Sequence, residues 1–141
     1  MASLLVDTGF LVALYRRNDE LHDSALTFLR GNRERLISVS PVIVESCHFL
    51  SLGARVQLLQ WAARGGLTVV DIAQSVYPRL ASLMEKYRNL DCDLADVALL
   101  WLAAESKQRR ILTVDHRDFS AFRLPDRKRM QLVTWIAPPL R

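Results

Sequence analysis

LDCDLADVALLWLAAESKQRRILTVDHRDF, residues Leu90 to Phe119, opens with carboxylates, runs through an apolar helical stretch and a basic turn, and closes on a short apolar run that delivers Asp115. The spacing predicts a helix from about Asp93 to Lys107 and a strand from Ile111 to Val114. Acidic groups at the head of a helix and at the end of the next strand point to one acidic pocket, provided that the rest of the chain completes it.

Working outward, Ser3–Val6 is a short apolar run ending at Asp7, and Phe10, Leu11, Leu14 and Tyr15 follow at helical spacing. A second helix, capped at or beside Asp19, carries Leu21, Ala25, Leu26, Phe28 and Leu29 and stops at Gly31. Leu36–Val39 is the next apolar run, and Ser40-Pro41 reads as a helix start, with Ser as cap and Pro in the first turn. That helix extends through Glu45 to about Leu52. Gly53 separates it from another over Ala54–Ala63, and Gly65-Gly66 precedes a strand over Leu67–Val70. A helix carrying Val76, Leu80, Leu83, Met84 and Tyr87 leads into the opening stretch. Beyond it, Phe119–Met130 reads as irregular and basic, Leu132–Trp135 as a last strand, and Pro138-Pro139 closes the sequence.

Short apolar strands alternating with helices, without hairpin signals, predict an α/β fold: a three-layer sandwich with a mainly parallel sheet of four to five strands. The length of 141 residues suits a single domain spanning residues 1–141. The composition, 50% hydrophobic and 24% charged, is that of a globular chain and excludes a disordered one. The longest apolar run, Val97–Ala104, falls far short of the roughly 20 residues of a membrane span. With no signal-peptide pattern at the start, the expectation is a soluble cytoplasmic protein with no membrane partner. Cys47 and Cys92 match no metal or redox spacing and are expected to be buried free thiols. The formal charge of +4 is carried mostly by Arg, whose fork suits phosphates and acidic segments alike.

In parallel α/β sheets, ligands bind beyond the carboxyl ends of the strands. Asp7 follows the first strand, Glu45 lies in the first turns after the second, and Asp115 follows the fourth. Asp93 and Asp96, three apart on one helical face, can point to the same edge. Each has an ordinary alternative: Asp7 as a helix cap, Asp93 as a cap with Asp96 against the helix dipole, Asp115 as a turn residue. Glu45, among Val42, Ile43, Val44, Cys47 and Phe49, fits none of these. Separate capping roles do not explain why all fall at one edge. Clustered carboxylates repel unless a cation neutralises them, and an all-oxygen set suits Mg2+ or Mn2+.

The ordered set Leu5-Val6-Asp7-Thr8, Asn18-Asp19 with His22, Ser40-Pro41 with Glu45, Asp93-Leu94-Ala95-Asp96-Val97-Ala98, and Ile111-Leu112-Thr113-Val114-Asp115 with Asp118-Phe119 resembles the PIN-domain ribonucleases, and among them the VapC-type toxins of toxin–antitoxin pairs. The resemblance covers nearly the whole chain. It implies that Asp7, Glu45, Asp96 and Asp115 hold the metal, with Asp93 and Thr113 assisting and Thr8 as a small hydroxyl residue beside the first Asp. It also implies RNA as substrate, a homodimer, and a cognate antitoxin that covers the pocket. Asp7-Thr8-Gly9 matches the triplet of aspartic proteases, but those are all-β and the helical pattern after Phe10 excludes them.

The expected chemistry is metal-dependent phosphodiester hydrolysis, with water activated for in-line displacement. Near the acidic edge, His116 and Arg117 are candidates for touching substrate. Arg123, Arg127, Lys128 and Arg129 are expected there too, on the phosphates, with Arg109 and Arg110 at the far end. His22 and His48 read as packing or surface residues. Two other classes compete: a non-catalytic nucleic-acid or partner-binding module with the same fold, opposed by the full carboxylate set, and a phosphoacceptor receiver domain, opposed by the lack of a strand-end Lys. Partner surfaces are expected on the helices at Leu21–Leu29 and Ala54–Trp61, unless those faces are core.

Overall fold

Five strands form one sheet in the order β3-β2-β1-β4-β5, and all four pairings are parallel. The computed structural model describes residues 2–137, so the Pro138-Pro139 pair lies outside the described residues. The strands are β1 (Ser3–Val6), β2 (Arg35–Val39), β3 (Thr68–Val70), β4 (Arg110–Leu112) and β5 (Gln131–Leu132). Between them run α1 (Thr8–Tyr15), α2 (His22–Gly31), α3 (Ser40–His48), α4 (Leu52–Ala63), α5 (Tyr77–Lys86), α6 (Leu94–Ser106) and α7 (His116–Ala121). Parallel strands need crossovers, and right-handed crossovers that step first one way and then the other from β1 put helices on both faces. The expected three-layer sandwich is therefore present, with a sheet that is wholly rather than mainly parallel.

β1 is the central strand, and Leu4, Leu5 and Val6 are at most 1% exposed. A strand covered on both faces has no solvent side, which is why its sequence is continuously apolar instead of alternating. The same holds for α6, whose Ala95, Val97–Leu100, Leu102 and Ala103 are buried nearly all round. α5 lies at the surface and buries only a stripe, Leu80 and Leu83. Phe10 of α1 meets Phe28 and Trp135 edge-on at centroid distances of 6.0 and 4.9 Å. Full burial of each such ring contributes about 1.5–3 kcal/mol.

Local boundaries differ from the expectations in places. α3 starts at Ser40 itself, with Val39 as the flanking residue and no side-chain cap, while Pro41 keeps its place in the first turn. α3 ends at His48; Ser51 caps α4 by accepting from the Ala54 N–H, so Gly53 lies inside α4 and does not separate two helices. The stretch Phe119–Met130, expected to be irregular, begins inside α7, which is too short to show periodicity. Cys47 and Cys92 are free but only half-buried. Among the described residues, no helix is long and apolar enough to cross a membrane.

Candidate metal centre at the carboxyl edge of the sheet

The strand order reverses at β1, which has β2 on one side and β4 on the other. At such a switch point the crossovers leave in opposite directions and open a crevice beyond the strand ends. Asp7 stands there directly after β1, and its N–H donates to the carbonyl of Leu112 at the end of β4, 3.0 Å away. An open cleft of about 530 Å3 is lined by Asp7, Thr8, Glu45, Asp93, Asp96 and Asp115, together with Gly9, Val12, Asp19, Glu20, Leu21, Phe49 and Val114. All five expected carboxylates thus reach one cleft from four separate segments.

Asp7 is 5% exposed and fixed by two donors: the Thr8 N–H on Oδ1 and the Thr113 hydroxyl on Oδ2, each at 2.8 Å. Thr113 Oγ1 in turn accepts from the Asp115 N–H at 2.9 Å, and its carbonyl accepts from Trp135 Nε1 at 3.2 Å. The end of β4 is therefore locked on both sides. Asp93 caps α6 by accepting from the Asp96 N–H at 3.0 Å, and the Asp96 carboxylate accepts from the Asp93 N–H at 3.3 Å. Asp115 caps α7 through the Asp118 N–H at 3.1 Å. The capping alternative is correct for Asp7 and Asp93, and Asp115, whose alternative was a turn, caps a helix as well; capping does not compete with a shared site. In a parallel sheet, helices start where strands end, so their caps gather at one edge.

The electrostatics are those of crowded like charges. Burial raises Asp7 to about 6 against the hydrogen bonds from Thr113 and Thr8, with Asp115 and Asp93 adding repulsion. Asp96 is pushed up to about 8 by burial, then by Asp93 and Asp7. Glu45 rises to about 7 through burial and its approach to Asp93. The buried Thr8 hydroxyl lies near enough to Glu45 to oppose that rise, yet by distance and angle it makes no hydrogen bond among the described residues. An all-oxygen donor set held partly protonated, beside an unpartnered buried hydroxyl, fits a hydrated hard divalent cation.

Several cleft groups were not legible in the sequence as site residues. Asp19 and Glu20 enter from the α1–α2 connection, where Asp19 also holds the turn by accepting from the Leu21 N–H at 2.8 Å. Asp118 and Cys92 stand beside Asp96, with ligating atoms of all three within 4.8 Å of one another. Burial and Asp115 raise the Asp118 carboxyl above its usual range.

His116 and Arg117 are exposed at the start of α7, beside the cleft. Arg127 and Arg129 are not at this edge. Arg109 Nη1 donates to the Arg129 carbonyl at 3.2 Å, and the Gln131 N–H donates to the Arg109 carbonyl at 2.7 Å, so this segment sits where β4 begins. Arg127, at φ 67°, closes a turn onto Leu124. Lys128 lines a separate pocket with Lys107 and Arg109. Because β5 is parallel to β4, the chain must first return to the opposite edge, and the residues before Gln131 are left there. The expected placement of Arg127, Lys128 and Arg129 near the acidic edge is thus corrected. Arg123 turns its guanidinium onto the carbonyls of Ser120, Ala121 and Phe122 at the end of α7. Arg110 pairs with Glu34 at the far end, as expected.

A family model for the PIN domain matches residues 4–124. The chain belongs to the PIN-domain family. The match spans all seven carboxylates that line the cleft. Among curated relatives, this PIN domain is 26% identical over 125 residues to Ribonuclease VapC26 of Mycobacterium tuberculosis, covering 85% of this chain and 92% of the relative. Among solved structures it is similar to M. tuberculosis VapC20, a sarcin–ricin loop cleaving toxin, with TM-score 0.74 and 14% identity over 81% of this chain and 91% of the other. A toxin–antitoxin complex from Klebsiella pneumoniae gives TM-score 0.60 and 18% identity, covering 93% and 96%. At those identities the two structures bear on the fold, which they share with this chain.

Proposed function

We propose that this PIN domain is a metal-dependent endoribonuclease that hydrolyses RNA phosphodiester bonds, acting as the toxin of a toxin–antitoxin pair. The observation that carries the reading is the convergence of Asp7, Glu45, Asp93, Asp96 and Asp115 in one cleft at the switch point of the sheet. The curated relative that this chain covers to 92% of its length is named a ribonuclease, which supports RNA as the substrate. The complete carboxylate set argues against a module that only binds.

Asp7, Glu45, Asp96 and Asp115 would hold Mg2+ or Mn2+, with Asp93 beside them. A bound divalent ion supplies Lewis acidity at the phosphate and lowers the pKa of a water. The chain's own groups do the rest. Thr113 and the Thr8 N–H fix the Asp7 carboxylate, so no reorganisation is needed when the substrate arrives. Glu45, which lines the cleft from α3, would ligate the ion or orient the attacking water. The Thr8 hydroxyl is free to bind a water or phosphate oxygen in the cleft. His116 and Arg117 stand where the substrate would pass.

A homodimer and an antitoxin are the proposed partners. Leu52, Val56 and Leu59 form an exposed i, i+4, i+7 stripe on α4, 74%, 43% and 52% exposed, which suits a dimer contact. Within the expected partner helix at Leu21–Leu29, Ala25 is buried and Leu21, Leu26, Phe28 and Leu29 pack on the core.

The test is cleavage of RNA by the purified chain in Mg2+, Mn2+ or EDTA, alongside Asp7→Asn. Cleavage that needs the ion and is lost in a folded Asp7→Asn protein supports the reading. Full activity in that variant, or in EDTA, excludes it.

A further inference from the structure

Among the described residues, the cleft is lined by seven carboxylates, Asp7, Asp19, Glu20, Glu45, Asp93, Asp96 and Asp115, and by no Lys or Arg. A polyanion that enters it must be held from outside, and Arg127 and Arg129 are at the wrong edge to do so. Two other grooves open nearby. One, lined by Pro41, Val44, His48 and Leu94 among others, contains no Lys or Arg. The other, about 510 Å3, is lined by Tyr15, Arg16, Arg17, Asn18 and Phe49 among others and contains no Asp or Glu. Phe49 lines both this basic groove and the carboxylate cleft, so the two adjoin at its side chain. α1 links their ends, with Asp7 before its first residue and Arg16 after its last, a rise of about 12 Å over one short helix.

We propose that this basic groove binds the single-stranded RNA segment next to the scissile phosphate, with Arg16 and Arg17 on phosphates and the Phe49 ring against a base. The proposal rests on the ribonuclease reading above and names where its substrate lies. Phe49 is 52% exposed, although its neighbour Leu50 is 4% exposed. Its position is fixed from two sides: the Arg16 guanidinium donates to the Phe49 carbonyl, and Arg55 Nε donates to the carbonyls of Cys47 and Leu50, each at 2.9 Å. The Arg16 guanidinium carbon lies 6.0 Å from the ring centroid. An exposed ring beside a guanidinium, fixed on a rigid turn, is a stacking platform, and stacking accepts any base. Among the described residues, neither Arg16 nor Arg17 forms a salt bridge, so both charges remain available to phosphate.

The test is binding of a fluorescein-labelled oligouridylate by the full chain, in EDTA and in Mg2+, across a salt series, with cleavage scored separately on the same RNA. Phe49→Ala is expected to weaken binding roughly 5- to 150-fold, the stacking contribution of one base, and Phe49→Tyr to restore it. Arg17→Gln is expected to reduce the slope of log affinity against log salt by about 0.7, one single-strand phosphate contact. Arg109→Gln at the far edge should bind like the wild type. The proposal is overturned if Phe49→Ala and Arg17→Gln bind like the wild type, or if the wild type binds in neither condition. It is also overturned if those variants keep RNA but lose a protein encoded beside this chain, which would make the groove a protein-docking site. Groove-dependent binding without cleavage would sustain the groove and remove the ribonuclease reading. Cleavage with unaltered variants would do the reverse.

Discussion

Thr113 Oγ1 donates to Asp7 Oδ2 at 2.8 Å across 106 positions of sequence, and both residues are buried. This bond ties the end of β4 to the end of β1 and opposes the rise of the Asp7 pKa. Thr113→Val removes it and leaves the Asp115 N–H without its acceptor. The expected loss is about 1.5–3 kcal/mol, the range for hydrogen bonds to charged groups. Thr113→Ser should recover most of it. Urea unfolding of the two variants checks this, and equal stability of Val and wild type would show that the bond contributes nothing.

Asp7, Glu45 and Asp96 are raised from ordinary values of 3.8, 4.5 and 3.8 to about 6, about 7 and about 8. In the ion-free protein the folded state therefore keeps protons that the unfolded chain has released. Their contribution to stability is fully present below about pH 4 and is lost as pH rises through the folded values. Thermal unfolding in EDTA should show Tm falling between about pH 5 and 8, and Mg2+ or Mn2+ should raise Tm more at pH 8 than at pH 5. An ion effect that is the same at both pH values would contradict this.

Asp96→Asn keeps an oxygen for the Asp93 N–H in the capping box while removing the cleft carboxyl whose pKa burial and its acidic neighbours raise to about 8. In EDTA at pH 8 the variant should unfold at a higher temperature than the wild type. Its cleavage should fall by more than the roughly 100-fold that changes behind a metal ligand cost. A variant that is both less stable and fully active would remove Asp96 from the site.

Gly9 lies in the first turn of α1, where an added Cβ would overlap Val114 Cγ2. The close approach explains the glycine of the Asp7-Thr8-Gly9 triplet without reference to proteases. Gly9→Ala should displace the Thr113–Asp115 turn from Asp7 and reduce cleavage at least tenfold, since small misplacements near reacting groups are costly. Val114→Ala in the same chain should restore activity. A double variant as impaired as Gly9→Ala would place the effect elsewhere.

Arg110 Nη1 donates to both carboxylate oxygens of Glu34, at 2.7 Å each, at the edge away from the cleft. The side chains are 39% and 33% exposed. Arg110→Gln should cost about 1 kcal/mol or less in chemical unfolding and leave cleavage unchanged. A large activity loss would mean that the two edges communicate.

The succession of strands and helices was legible because strands covered on both faces must be apolar throughout, as at Leu4–Val6 and Ile111–Leu112. Asp7, Glu45, Asp96 and Asp115 could be singled out because a parallel sheet sends every strand end to one edge. α7 escaped notice because its six residues span less than two turns of helical periodicity.

By itself the sequence determined the layered α/β plan and the residue types at the carboxyl edge, because local apolar periodicity and the order of elements suffice for both. Tertiary structure alone decided which distant groups meet: Thr113 on Asp7, Trp135 on Thr113, Phe49 between two grooves. It also decided the edge to which Arg127 and Arg129 belong, because β5 pairs parallel to β4 and the chain must cross the molecule before it starts. The edge at which a connecting segment ends and the long-range contacts are properties of the assembled sheet, and no local run of residues carries them.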